Sequence, residues 1–342
     1  MENSINKKRV YAFDNLKFFL ILVVVIGHTI TSDINENSIL RSVFIFIYSF
    51  HMPLFIFISG LFQKKEQNSL NYNKILEFTF LGLILKMGIM FFHGVLFNGT
   101  PNFSLLSGDG VFWYLFAVAS YIVICYLLRN VNISFVFYIS ILLALLVGYD
   151  KTIGDFLCLS RIIVFFPFYY AGFCLNPQKV LESLNKRWIK ILSVILILVW
   201  LYLVITQLDL VYPFRMLFTG RHPYANVKIE NCTMFHRLLT TTISAILCIA
   251  FISIIPSKKI PLISSIGTKT LQIYFWHGFI LRILRYLGVF VYIERAFPDE
   301  CWILFSIISL LIVLLLSLDI FGKPIKAIIN CIDTKKDRKL LN

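Results

Sequence analysis

The sequence predicts an all-α polytopic membrane protein, a bundle of about ten transmembrane helices with both termini in the cytoplasm. Three observations predict it: an apolar composition, ten separate apolar segments and an uneven distribution of basic residues. Hydrophobic residues make up 58% of the 342 residues and charged residues only 15%, whereas soluble domains hold about 25% charged residues. Because each span needs neighbouring spans, we expect residues 1–342 to form a single integral-membrane domain.

A membrane-spanning helix needs about 20 consecutive, mostly apolar residues. Ten segments of the chain approach this length and composition. They are approximately 13–31, 40–62, 75–97, 110–129, 132–148, 160–176, 188–206, 236–256, 266–291 and 301–322. The first follows a basic stretch, as a signal peptide would, but "GHTITSDINENS" is a poor cleavage site. We therefore expect the first segment to be a retained span.

The basic residues predict the orientation of these segments. With the N-terminus inside, the connections on the inner side carry twenty lysines and arginines and those on the outer side carry eight. Basic residues concentrate in cytoplasmic loops, so this bias places both termini in the cytoplasm. The remaining four basic residues, Lys17, Lys86, Arg282 and Arg285, fall within predicted spans.

Several function classes are disfavoured by the composition. The net charge of +14 is explained by the loop charges of a membrane protein, so we expect no nucleic-acid partner. The seven cysteines are scattered and form no C-x-x-C pair, which argues against a disulfide framework or a zinc site. No H-E-x-x-H motif and no phosphate-binding glycine loop is present, and we expect no metal cofactor.

The first predicted span carries three ionisable residues. Lys17 and His28 are eleven residues apart, close to three helical turns, which places them on one helix face about 16 Å apart along the axis. Asp14 precedes Lys17 by three residues and is close enough to pair with it. Ionisable groups in a span are costly and usually face a protein interior or a water-filled cavity. We therefore expect Lys17 and His28 to face a polar cavity. The alternatives, that Lys17 extends to the membrane surface and that His28 is a structural histidine, are less favoured.

Other predicted spans also carry polar and aromatic residues. His51 and His277 lie near mid-depth in the second and ninth spans, and Arg161 opens the sixth. The second span also contains Pro53, which leaves a backbone carbonyl without its helical partner. Candidate substrate- or donor-binding residues are His51, Ser59, Trp113, Tyr114, Arg161 and His277. Taken alone, Trp113 is more typical of an interfacial anchor.

The residues alone leave two function classes open. A secondary transporter or glycan exporter would use the histidines for proton coupling or substrate binding. An enzyme would use a histidine as a general base on a hydroxyl group. A structural membrane subunit is disfavoured because buried histidines are costly. Inverted repeats would favour the transporter, and none is evident in the sequence.

An ordered set of motifs resembles the membrane-bound acyltransferase-3 family. It consists of "DNLKFFLILVVVIGH", "FHMPLFIFISGLF", "FWYLFAV", "RIIVFFPFYYAGF" and "IYFWHGFI". The family's first-span signature is Arg or Lys, ten residues and then His, which Lys17 and His28 satisfy. The second motif is most similar to the branch related to fucose 4-O-acetylase. The acidic residue that many relatives carry soon after the tryptophan motif is absent here.

The resemblance implies O-acylation of a sugar, with acetyl-CoA as donor, by a multi-pass protein of the bacterial cytoplasmic membrane. In this reading His28 is the general base, or carries the acetyl group briefly. Lys17, held by Asp14, and Arg161 would bind donor phosphates or stabilise the oxyanion. Because the predicted topology places Arg161 on the outer side, an acceptor or oxyanion role is preferred for it. His51 and His277 would orient His28 or the acceptor, while Ser59 would pack and donate hydrogen bonds. The expected partners are membrane lipid and a glycan or lipid-linked sugar, and a homo-oligomer remains open.

Overall fold

The computed structural model describes residues 10–30, 37–63, 69–97, 110–154 and 156–337, and within these ranges it is helical and contains no β-sheet. The predicted all-α bundle is therefore confirmed. Its helices are α1 (Tyr11–Ile30), α2 (Ser38–Tyr48), α3 (His51–Leu61), α4 (Tyr72–Phe97), α5 (Trp113–Leu127), α6 (Ile133–Leu146), α7 (Leu159–Cys174), α8 (Pro177–Leu184), α9 (Arg187–Thr206), α10 (Leu208–Val211), α11 (Arg215–Phe218), α12 (Met234–Ile254), α13 (Pro261–Gly267), α14 (Thr270–Tyr286), α15 (Val289–Ala296), α16 (Cys301–Leu316) and α17 (Asp319–Asp337). Short 3₁₀ turns occur at Val147–Tyr149, Tyr212–Phe214 and Tyr224–Asn226.

The chain is a multi-pass membrane protein. Five of the described helical segments are long and apolar enough to cross a membrane, or up to eight if each bent helix pair is one span. Two shorter apolar helices, Trp113–Leu127 and Ile133–Tyr149, coincide with the fourth and fifth predicted segments. Each of the ten predicted segments contains a helix. The number ten and the cytoplasmic position of both termini stay predictions.

Three segments that were predicted as continuous spans contain breaks between helices. Segment 301–322 breaks at residues 317–318, between α16 and α17, where the two helices are bent by 58°. Segment 40–62 consists of α2 and α3, which are separated by Ser49 and Phe50, but Ser38–Leu61 as a whole remains one candidate membrane span of 24 residues. Segment 266–291 takes in the end of α13, all of α14 and the start of α15, with breaks at residues 268–269 and 287–288. Glycines explain the breaks in segment 266–291, because α13 ends at Gly267 and Gly288 adopts a positive φ of 70°. Such backbone conformations end a helix although the apolar pattern continues.

Helices α3 and α7 cross at very short range. A Cβ on Gly60 would overlap the backbone carbonyl of Tyr169, and one on Gly172 would overlap that of Phe57. Both positions therefore require glycine, which lets the two backbones approach closely. Such close packing stabilises helix pairs in a membrane, where the hydrophobic effect does not drive helices together. The crossing fixes α3, which begins at His51, against α7, which carries Arg161 near its start.

Helix α1 occupies the centre of the bundle. It packs against α2, α3, α13, α14 and α16. Its apolar residues Leu16, Leu20 and Val25 are fully buried. Near its C-terminal end, the hydroxyls of Thr29 and Ser309 are hydrogen-bonded at 2.9 Å. Helix α1 is thereby held on several sides at the level of His28.

Candidate active site

A cavity of about 290 Å³ lies where six parts of the chain meet. These parts are the end of α1, the α2–α3 junction, the starts of α5 and α7, the second half of α14 and the segment at residues 218–221. Its histidine and arginine lining is His28, His51, Arg161, Arg221, His277, Arg282 and Arg285. In the predicted orientation, the cavity lies in the outer half of the bundle.

The three predicted intramembrane histidines all line this cavity. The rings of His28 and His277 lie 5.4 Å apart between centroids and are tilted by 36°. His51 packs edge-on against Tyr48, with 4.7 Å between ring centroids. The structure thus brings together the side chains of residues 28, 51 and 277. From the sequence, their proximity was only an expectation.

Backbone hydrogen bonds orient two of these imidazoles. The Nδ1 atom of His51 lies 2.8 Å from the carbonyl oxygen of Ile47, and that of His277 lies 2.7 Å from the carbonyl oxygen of Tyr274. A carbonyl oxygen only accepts, so Nδ1 donates, and in the neutral ring Nε2 is left as an acceptor. The Nε2 atom of His277 is buried and has no hydrogen-bond partner. It can therefore accept a hydrogen bond from a group in the cavity.

The position of His51 follows from the break between α2 and α3. Pro53 has no amide hydrogen, so the carbonyl of Ser49, four residues earlier, lacks its helical donor. That carbonyl instead accepts a hydrogen bond of 2.6 Å from the hydroxyl of Ser244 on α12. The Ser49 hydroxyl in turn accepts a 3.0 Å hydrogen bond from the indole of Trp200. A buried polar network therefore holds the junction beside His51.

Arg161 and Trp113 form one wall of the cavity. The Arg161 guanidinium carbon lies 5.1 Å from the Trp113 ring centroid, and the same indole stacks on Phe165 at 5.6 Å. Trp113 is only 8% exposed, so it packs inside the bundle instead of anchoring at the membrane interface. The guanidinium is thereby supported on an aromatic face, an arrangement that favours a cation.

Three lining arginines were not among the candidates from the sequence. Arg285 donates a hydrogen bond to the backbone carbonyl of His28, and Arg282 donates one of 2.9 Å to the carbonyl of Gly278. A signal for these two existed, because Arg282 and Arg285 are three residues apart, and therefore neighbours on a helix, within the predicted span that carries His277. Arg221 lies in an irregular segment, where no periodicity could have marked it.

Four of the candidate residues lie outside this cavity. Lys17 Nζ is 3.8 Å from Asp14 Oδ1, as expected, and 4.8 Å from the centroid of the Phe62 ring. Between Lys17 and His28, the same face of α1 is occupied by Ile21 and Val24, which are 0% and 2% exposed. Apolar packing therefore fills the interval between Lys17 and His28 on the helix face where a polar cavity was expected.

The other two form a hydrogen-bonded pair of their own. The hydroxyls of Ser59 and Tyr114 lie 2.8 Å apart, and Ser59 also donates to the carbonyl of Phe55 at 2.8 Å. The Tyr114 ring contacts Tyr274 at 5.2 Å, and Tyr274 contacts His277 at 5.8 Å between centroids. Ser59 and Tyr114 thus support the cavity through Tyr274 instead of lining it.

A comparison with known proteins assigns the family. No curated protein and no solved structure matches the chain significantly. The model of the acyltransferase domain of the acyltransferase-3 family matches residues 10–322. That range includes α1 through α16 and every residue of the cavity. The chain therefore belongs to the membrane acyltransferase-3 family and is an acyltransferase.

Proposed function

We propose that the protein is an O-acetyltransferase that moves an acetyl group from acetyl-CoA to a sugar hydroxyl. The acceptor is a surface polysaccharide or its lipid-linked precursor, and the site of action is the bacterial cytoplasmic membrane. The observation that carries this proposal is the meeting of His28, His51 and His277 at one cavity in a chain of the acyltransferase-3 family. A proton-accepting group beside a space for substrate is what hydroxyl acylation requires.

The proposed chemistry is a direct transfer. His28 accepts the proton of the sugar hydroxyl as that oxygen attacks the thioester carbonyl carbon. The tetrahedral intermediate collapses, the carbon–sulfur bond breaks, and the proton passes from the imidazolium to the leaving thiolate. The products are the sugar acetate and free CoA. His277, 5.4 Å from His28 between ring centroids, orients the His28 ring or the acceptor.

Arginine supplies the positive charge that this intermediate needs. The oxyanion that forms at the thioester carbonyl is stabilised by donors already in place before the reaction. Arg161, supported by Trp113 at 5.1 Å, meets this requirement because a guanidinium stays protonated in proteins. Arg285 holds the backbone at His28 through its hydrogen bond to the His28 carbonyl.

The two substrates approach from opposite ends in this proposal. The cavity lies in the outer half of the predicted topology, which suits an acceptor that arrives from outside. Lys17, near the predicted cytoplasmic end of α1, is suited to the phosphates of cytoplasmic acetyl-CoA. Because Ile21 and Val24 fill the space between, the pantetheine arm needs either another route or a rearrangement of these side chains.

The test is a transfer assay with the full chain in detergent or nanodiscs. Acetyl-CoA labelled in the acetyl group is incubated with a panel of cell-surface glycans and lipid-linked sugars. We expect label in a glycan ester, and a loss of about 10²- to 10⁴-fold in kcat for His28→Ala. His93→Ala is the matched control, because His93 is an exposed histidine on α4 outside the cavity.

Two results would contradict the proposal. One is unchanged label transfer in His28→Ala. The other is proton-coupled uptake of a sugar into liposomes by a protein that transfers no label to any acceptor or to water.

A further inference from the structure

The Nε2 atom of His277 is a buried hydrogen-bond acceptor that the protein leaves unused. The side chain lines the cavity and is 0% exposed. Its Nδ1 atom lies 2.7 Å from the carbonyl oxygen of Tyr274 and 3.2 Å from that of Ile273. Both carbonyls only accept, so the hydrogen of the neutral ring is on Nδ1 and Nε2 is left as an acceptor without a partner. A buried acceptor in this state costs free energy until a donor reaches it.

The side chains around His277 do not supply that donor. The His28 ring, 5.4 Å away between centroids, makes no hydrogen bond to Nε2. The Tyr274 ring is 5.8 Å away, and its hydroxyl is itself buried without a partner. Arg282 donates instead to the carbonyl of Gly278 at 2.9 Å. Turning the His277 ring over would break both of its contacts to backbone carbonyls. The donor that completes the ring therefore comes from a molecule in the cavity.

This donor has to lie close to the reacting hydroxyl. In the proposed function that hydroxyl faces His28, and the two imidazoles are neighbours in the cavity wall. In a sugar, the oxygens of hydroxyls on adjacent carbons are about one hydrogen-bond length apart, so two neighbouring rings can accept from both. The cavity, at about 290 Å³, is at the small end of ligand sites, which favours two donors on the same sugar unit.

We propose that the acyl acceptor carries a second hydroxyl on the carbon next to the reacting hydroxyl, and that His277 binds this second hydroxyl through Nε2. The inference rests on the proposed function, because it names the substrate class of the same site. That class is the vicinal diols, which here are sugars with a free hydroxyl beside the acylated position. It excludes sugars in which this neighbour is deoxygenated, alkylated or part of a glycosidic bond.

The arrangement also limits the reaction to one ester per diol. After acylation, the ester oxygen has no hydrogen to donate, so it cannot occupy the position at His277 while its neighbour reacts at His28. The product of a vicinal diol is therefore the monoacetate.

Binding measured without an acyl donor tests the inference independently of catalysis. The probes are cis- and trans-1,2-cyclohexanediol, with 2-methoxycyclohexanol and cyclohexanol as matched compounds. The methyl ether keeps both oxygens, but only one of them can donate. Each probe is titrated into the full chain in nanodiscs, with thermal unfolding as the readout. We expect at least one diol to bind about 2- to 10-fold more tightly than either matched compound, which is the gain from one neutral hydrogen bond.

Three variants assign this preference to His277. His277→Phe keeps a ring but removes the acceptor, so we expect the preference for the diol over the methyl ether to disappear. His277→Gln offers an amide oxygen near the position of Nε2 and should retain the preference, and it keeps the test valid if His277→Phe fails to fold. His93→Phe is the matched control and should also retain the preference, because His93 is exposed on α4 outside the cavity.

Four outcomes would overturn the inference. They are binding of none of the probes, equal binding of diols and methyl ethers, a diol preference that persists in folded His277→Phe, and a diacetate as the main product of a vicinal diol. The proposed function fails separately. A diol preference without acetyl transfer to any acceptor would contradict the proposed function alone, whereas equally fast transfer to acceptors that lack the second hydroxyl would contradict the inference alone.

Discussion

The imidazole rings of His28 on α1 and His277 on α14 lie 5.4 Å apart between centroids, at the wall of one cavity. Residues separated by most of the chain thus form a pair whose ring nitrogens can serve one proton transfer. Nδ1 of His277 donates to a backbone carbonyl, and its Nε2 is buried without a partner. The first prediction concerns this pair.

The two histidines should act as a unit. We expect His28→Ala and His277→Ala each to lower kcat, and the double variant to be no slower than the slower single variant. Residues that act on one step have strongly non-additive effects. The measurement is a double-mutant cycle on kcat with labelled acetyl-CoA. Independent, multiplicative losses would show that His277 has a separate structural role.

Lys17 should affect donor binding more than chemistry. It lies outside the cavity and pairs with Asp14 at 3.8 Å. We expect Lys17→Gln to raise KM for acetyl-CoA about tenfold, because a charge–phosphate contact is lost, and to leave KM for the acceptor unchanged. Lys186→Gln is the control, since Lys186 is an exposed lysine directly before α9. A fall in kcat with constant KM would refute the assignment to donor binding.

The hydroxyl of Ser244 should stabilise the α2–α3 junction. It is the donor to the Ser49 carbonyl that Pro53 leaves without a helical partner. We expect Ser244→Ala to cost about 1–3 kcal/mol of stability, because a buried acceptor is left unsatisfied. Thermal unfolding in detergent measures the effect. Ser306→Ala is the control, because the Ser306 hydroxyl donates to the Trp302 carbonyl one turn earlier in the same helix. Equal shifts for both variants would contradict the prediction.

The crossing of α3 and α7 should not tolerate a side chain at residue 60. A Cβ there would overlap the carbonyl oxygen of Tyr169. We expect Gly60→Ala to destabilise the fold by about 1–3 kcal/mol or more, because the two backbones must separate. Gly154→Ala is the control, since the nearest atom to its added Cβ is 4.0 Å away. A Gly60→Ala protein with unchanged thermal unfolding would show that the helices are less closely packed.

Arg237 should position the segment that carries Arg221. It is 1% exposed, and its guanidinium donates to the carbonyls of Leu217 at 2.8 Å and His222 at 3.1 Å. It also lies 5.6 Å from the ring centroid of Tyr224. We expect Arg237→Gln to raise KM for the acceptor and leave KM for acetyl-CoA unchanged. The reason is that the backbone on both sides of Arg221 loses its hydrogen bonds to the guanidinium.

The measurement separates this positioning role from a general loss of stability. Steady-state kinetics are compared at a temperature at which the variant remains folded. Lys228→Gln removes one positive charge from an exposed side chain of the same segment and serves as the control. Parallel changes in both KM values, or in kcat alone, would contradict the role assigned to Arg237.

Much of this architecture could be predicted from local patterns. The apolar segments predicted the positions of helices, because a helix in lipid must satisfy its own backbone hydrogen bonds. The costly histidines at 28, 51 and 277 indicated the site for a related reason: ionisable groups in a span are kept where function or a cavity requires them. The spacing of Asp14 and Lys17 predicted their ion pair, since residues three apart are neighbours on a helix.

What the amino-acid sequence determined by itself was the all-α membrane class, the acyltransferase family motifs and the candidate histidines. Only the tertiary structure decided that Arg221, Arg282 and Arg285 join the histidines, that Lys17 and Ser59 do not, and that three apolar segments contain breaks. The reason is physical. Hydropathy and helical spacing depend on residues that are close in the chain. A cavity depends on which helix faces pack against one another. Close contacts between distant residues, such as that between Gly60 and Tyr169, determine this packing.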